Sequence, residues 1–166
     1  SYIPTYGVSQ TRLEELGRVG DYIGSTITFG PTDDFAILYD GEIFEREVMI
    51  LGGGDSQLNA GRLWIRNNEI RIDGTTPSPS LMANSQEVIP LNTRFKLLAK
   101  RNGNVVDFFK DGQKLSTNQF DTNAEFVINS LFWSFNNAYI CYGKHNQLTI
   151  FPTALTDSEC IELTTI

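Results

Sequence analysis

Acidic residues, one histidine and aromatic rings set among arginines are the side chains of this sequence that offer chemistry. Asp40 and Glu42 occupy alternate positions, with Phe44 two further on. In a strand they share a face and lie roughly 6–7 Å apart, near the about 5–5.5 Å of a retaining glycosidase pair. Glu45 and Glu47 fall on the opposite face. A solvated, charge-dense strand end is the preferred reading of this run, because unpaired carboxylates belong in water. Other catalytic constellations have less support. His145 sits alone in Lys144-His-Asn-Gln147, without a suitably spaced Ser or Cys motif. No G-x-S-x-G occurs, and His and Cys are too few for a zinc site. Gly52-Gly-Gly-Asp55 lacks the Lys-Ser/Thr of a phosphate loop.

A binding surface is better supported. Sugar rings present C–H faces that pack on aromatic rings, while Asn, Arg and Asp bond the hydroxyls. Arg62-Leu-Trp-Ile-Arg66 and Glu69-Ile-Arg-Ile-Asp73 flank Asn67-Asn68, a pair suited to a tight hairpin turn. Alternation puts Leu63, Ile65, Ile70 and Ile72 on one face and Arg62, Trp64, Arg66, Arg71 and Asp73 on the other. A tryptophan on that polar face either stacks on the arginine stems or receives a ligand, and the sequence leaves both open. Asn136, Asn137 and Tyr139 form a second candidate group, near Trp133. Leu131, Trp133 and Phe135 alternate like the inward face of a strand, so Trp133 reads as core.

The elements that must position these residues are strands. Turn signals recur at short intervals: Pro31-Thr-Asp-Asp34, Asn102-Gly103-Asn104 and Asp111-Gly112. Between them lie Ile23–Phe29, Phe35–Phe44 with a glycine that marks a bulge, Glu47–Leu51, Arg94–Lys100 and Val105–Lys110. Gly74 to Pro90 reads as a long polar loop, and Thr11–Leu16 as a single helical turn. At the end, Gln147–Phe151 is a strand and Thr156 begins a short helix. Thr156 and Glu159 make a capping box, with Leu155 and Cys160 as its hydrophobic staple. At 166 residues with 40% hydrophobic content, one all-β sandwich or barrel domain is expected. A net charge of −7 argues against a nucleic-acid partner and an anionic membrane surface, and no apolar run reaches membrane-spanning length. Cys141 and Cys160 read as two buried free thiols rather than a bridge.

Three stretches carry a family resemblance. Arg94 to Leu115, a strand pair ending in Phe-Lys-Asp-Gly, resembles the central hairpin of concanavalin A-like jelly rolls, in particular laminin-G-like domains. Tyr142 to Glu159, with Gly, a strand and Ala-Leu-Thr-Asp-Ser-Glu, resembles their closing signature. Ser1 to Arg12 is similar to the lead-in before such domains in phage tail and fibre proteins and in secreted bacterial carbohydrate-active proteins. The resemblance implies a two-sheet antiparallel jelly-roll sandwich over residues 1–166, with 1–22 as lead-in and a short C-terminal helical turn. It implies glycan or cell-surface recognition by a virion or extracellular protein, with a homotrimer if the setting is a phage fibre. An accessory carbohydrate-binding module and an interaction domain without a sugar ligand are the alternatives. Catalysis is not expected: glycosidase relatives carry Glu-x-Asp-x-Glu on one strand, and here the middle acid is missing. No cofactor is expected, although calcium stays open because such domains hold it at a sandwich rim, where Asp33, Asp34 and Asp55 offer oxygens.

Overall fold

The computed structural model describes residues 21–52, 61–74, 80–119, 124–132 and 139–166. In chain order the elements are β1 (Asp21–Phe29), β2 (Phe35–Ile43), β3 (Val48–Gly52), β4 (Arg62–Ile65), β5 (Ile70–Gly74), β6 (Ser80–Ser85), β7 (Phe95–Asn102), β8 (Val105–Lys110), β9 (Gln113–Gln119), β10 (Phe126–Leu131), β11 (Gly143–Phe151) and α1 (Asp157–Thr164). They form two antiparallel sheets, one ordered β1-β10-β3-β4-β5-β6 and the other β11-β2-β7-β8-β9. This is the expected jelly-roll sandwich.

The core lies between the sheets. Ile50, Leu63, Ile65, Ile70, Ile72, Phe126 and Ile128 from the first sheet meet Phe35, Ile37, Tyr39, Leu97, Ala99 and Phe108 from the second. Phe35 stacks on Phe126 with centroids 5.0 Å apart. β2 is buried on both faces, because Ala36 and Leu38 turn away from this core into a smaller cluster with Leu98, Phe109 and Cys160. That second cluster is the floor on which α1 rests. Double burial explains why the Phe35–Tyr39 run is wholly apolar, where a strand with one wet face would alternate.

Local chemistry holds α1 in place. Thr156 Oγ1 accepts from the Glu159 backbone N–H at 3.2 Å and the Glu159 carboxylate accepts from Thr156 N at 2.7 Å, the expected capping box. Cys160 is fully buried and Leu155 packs beside it, as the staple requires. Lys100 and Lys114 both bridge Asp107 of β8 and Asp157 at the first helical position. Next to Lys100 on β7, fully buried Arg101 donates to the carbonyls of Gly30, Pro31, Gly103 and Ala124, pinning the β1–β2 turn.

The strands differ from the sequence reading at several points: β9 and β10 have no counterpart in it, and three further differences lie elsewhere. Residues 74–90 are not one loop: Ser80–Ser85 is β6, pairing with β5 through Arg71↔Asn84 and Ile72↔Ala83. Its Ser-Leu-Met-Ala-Asn-Ser composition has weak strand preference, and pairing to an available edge overrides it. The bulge near Gly41 lies on the facing strand, where β11 shifts register between His145 and Gln147. A Cβ on Gly41 would fall 2.3 Å from the Tyr39 hydroxyl and 2.5 Å from the Lys144 carbonyl, so close approach is why glycine stands there. β11 also starts at Gly143, earlier than the expected Gln147. The helical turn expected at Thr11–Leu16 lies outside the described residues.

Candidate functional site

Helix α1 packs on the outer face of the five-stranded sheet over β7, β8 and β9. On the six-stranded sheet, the outer face of β3, β4, β5 and β6 carries the polar hairpin side chains and an aromatic pair. Cross-strand register sets the grouping: Arg62 faces Asp73, Trp64 faces Arg71 and Met49, and Arg71 faces Asn84. All five hairpin residues singled out in the sequence, Arg62, Trp64, Arg66, Arg71 and Asp73, therefore meet on one surface.

Asp73 organises that surface. It is 1% exposed, and its two oxygens accept separately from the Trp64 indole N–H at 3.0 Å and Arg71 Nε at 2.7 Å. Buried polar oxygens need such donors. Arg62, also buried, lies beside it. Burial is the largest influence on Arg62 and lowers its pKa, against the charge of Asp73. Arg62 and Arg66, two residues before and after Trp64, hold their guanidinium carbons 5.1 and 5.6 Å from its ring centroid. Trp64 thus packs against arginine side chains through their guanidinium groups, one of the two alternatives the sequence left open, and has its indole N–H engaged as well.

Tyr139 is the aromatic that faces solvent. It is 40% exposed, and its ring meets Trp64 edge-on, with centroids 5.3 Å apart and planes at 64°. Its backbone is in the left-handed region at φ 61°, which costs a bulky residue about 1 kcal/mol or more. The Tyr139 carbonyl accepts from Met49 N at 3.1 Å, tying it to β3. Two groups that are 75 residues apart in sequence, at Trp64 and Tyr139, are joined here into one site. Asn136, Asn137 and Trp133 lie outside the described residues. β10 ends at Leu131, and Phe132 has φ 56° with its side chain in the core.

Sequence reasoning missed the acidic frame of the site. Glu47, also left-handed at φ 59°, accepts from Arg66 Nε at 3.3 Å and from the Asn67 backbone and side chain at 3.2 and 2.9 Å. Glu69 accepts from Arg66 at 3.0 Å and from Asn84 at 3.0 Å. Glu69 was visible as the first residue of β5's hairpin arm, whereas Asn84 required knowledge of β6.

The remaining candidates are engaged elsewhere. Burial tends to raise Asp40, but hydrogen bonds from Arg94 and Asn146 and the Arg94 charge outweigh it and hold the carboxyl below its ordinary range. Glu42 pairs with Lys144 at 3.2 Å. A general acid needs a raised pKa, and the shift at Asp40 has the wrong sign. His145 lies between Tyr39 Oη, 2.9 Å from Nδ1, and the Cys141 carbonyl, 3.1 Å from Nε2, with Phe132 stacked on it at 3.8 Å. The carbonyl fixes Nε2 as the donor, so Nδ1 accepts from the tyrosine. Asp33 and Asp34 bond the backbone N–H of Gly30 and Gly103, and Asp55 lies outside the described residues. Among the described residues no cluster of three metal-ligating side chains occurs. Cys141 and Cys160 are buried free thiols, as the sequence suggested.

No protein-family profile matches the sequence, and no curated protein sequence matches it. Solved structures do share its fold. A Ruminococcus gnavus carbohydrate-binding module, the CBM40 of an IT-sialidase bound to α2,3-sialyllactose, is similar at TM-score 0.68 and 13% identity, over 90% of this chain and 97% of that one. Domain 4 of a GH43 extracellular arabinanase from Geobacillus stearothermophilus, in complex with arabinotriose, is similar at TM-score 0.60 and 14% identity, over 95% and 87%. The CBM66 carbohydrate-binding module of Bacillus subtilis is similar at TM-score 0.53 and 12% identity, over 78% and 79%.

Proposed function

We propose that this domain is a non-catalytic glycan-binding module whose ligand lies on the outer face of β3–β6, against Tyr139. The observation that carries the reading is the solvent-facing Tyr139 ring, braced edge-on by Trp64 and surrounded by arginine, carboxylate and amide side chains. A braced aromatic loses little freedom when a sugar ring packs on it, and the polar rim answers the hydroxyls. Trp64, Arg62 and Asp73 then act from beneath, holding the platform, while Arg66, Arg71, Asn84 and Glu69 border it.

Similarity to carbohydrate-binding modules supports the glycan-binding class. The accessory setting within a larger secreted enzyme is supported by neighbours that belong to a sialidase and an arabinanase. A phage fibre, with virion location and trimeric assembly, rests on the sequence resemblance of the lead-in alone. In either setting one weak site gains from repetition, because linked copies convert weak contacts into avid ones.

The test compares the parent protein with Tyr139→Ala on a broad glycan array. Retention in the variant should fall about tenfold or more, the equivalent of ~1.4 kcal/mol, with an unchanged melting temperature. Equal retention by parent and variant would remove Tyr139 from the site.

A further inference from the structure

The charges on the Tyr139 face balance. Arg71 pairs with Asp73 at 2.7 Å, and Arg66 pairs with Glu47 at 3.3 Å and Glu69 at 3.0 Å. Arg62 lies opposite Asp73 in the β4–β5 register and feels its charge. Three guanidinium groups therefore meet three carboxylates among the described residues. The surface is a mosaic of donors and acceptors rather than a cationic patch. Sugar hydroxyls both donate and accept, so they can use guanidinium N–H groups and carboxylate oxygens side by side. The carboxylate of an acidic sugar, unlike its hydroxyls, can only accept. It would bring a like charge against Glu47, Glu69 and Asp73 and compete for cations already paired. The whole chain adds a net charge of −7, which repels acidic polysaccharides over about a Debye length of 8–10 Å.

We propose, on the basis of the glycan-binding reading above, that the ligands of the Tyr139 face are uncharged glycans and that acidic sugars are rejected there. This separates the domain from its structural neighbour bound to sialyllactose, despite a common fold. Selectivity resides in the pairing: Glu47 and Glu69 hold Arg66, and Asp73 holds Arg71, leaving no net positive charge among the described residues of this face to receive an anion.

The experiment uses matched pairs of immobilised sugars, lactose beside 3′-sialyllactose and arabino-oligosaccharides beside oligogalacturonates. Parent and Tyr139→Ala proteins are compared at about 50 and about 300 mM NaCl, a range over which screening changes strongly. The expected result is Tyr139-dependent retention on a neutral member, about tenfold or more above its acidic counterpart, changing less than about twofold with salt. Tyr139-dependent preference for the acidic members, weakened several-fold by salt, would overturn the neutral assignment and leave glycan binding standing. Retention that ignores Tyr139, or no retention on any member, would overturn the glycan-binding reading and this inference with it.

Discussion

Asp73, which is buried, and His145, which is half-buried, are polar side chains with different consequences for the molecule. An indole N–H and a guanidinium fill the two oxygens of Asp73, and through them it fixes the brace beneath Tyr139. His145 keeps its neutrality. Burial lowers its pKa, with the Cys141 carbonyl bond opposing the shift. In the unfolded chain the imidazole titrates near its ordinary 6.5, so on acidification the unfolded state takes up a proton first. The stability from neutral His145 is complete above that value and is lost as pH falls from it through the folded pKa. Asp40 and Asp157, both held below their ordinary value of 3.8, add losses of the same sign at lower pH. The groups facing the imidazole, Tyr39, Phe132 and the Cys141 carbonyl, include no carboxylate to reverse the sign. Urea midpoints should therefore drop between pH 7.5 and pH 5, and His145→Gln should flatten that part of the profile. An unaltered slope in the variant would assign the effect to other groups.

At the scale of elements, α1 is a fastener on the outer face of the five-stranded sheet, and its cap is open to solvent. Thr156→Ala removes the side-chain acceptor for Glu159 N without touching the Tyr139 face. A loss of about 1 kcal/mol of stability is expected, read from chemical denaturation, with glycan retention unchanged. This helix was fully legible in the sequence, since Thr156, Glu159, Leu155 and Cys160 act within five residues of one another. The β4–β5 hairpin was legible for the same reason: alternation and a two-residue turn are local. β6 was not, because Ser80–Ser85 becomes a strand through its register with β5, and no local pattern encodes a partner. The site divides along the same line. Arg62, Trp64, Arg66, Arg71 and Asp73 were readable as one strand face, whereas the contact of Trp64 with Tyr139, and the roles of Glu47 and Asn84, arise only when β3 and β6 flank the hairpin.

The molecule as a whole treats its two outer faces differently. One carries α1, held by Leu155 and the Lys100–Asp157 bridge; the other presents a braced aromatic among balanced charges. Left-handed backbone at both Glu47 and Tyr139 borders that second face, which fits a surface shaped for a ligand rather than for local stability alone. The central claim is therefore one of location: a glycan bound by this domain lies on the β3–β6 face at Tyr139. The most direct measurement is an NMR titration of the isotope-labelled protein with the best-retained array sugar, following the Trp64 indole N–H bonded to Asp73. A glycan seated there gives a saturable shift of that signal in the parent protein, and the shift is lost in Tyr139→Ala. A saturable shift confined to residues of β11 and α1, with Trp64 unmoved, would contradict that location.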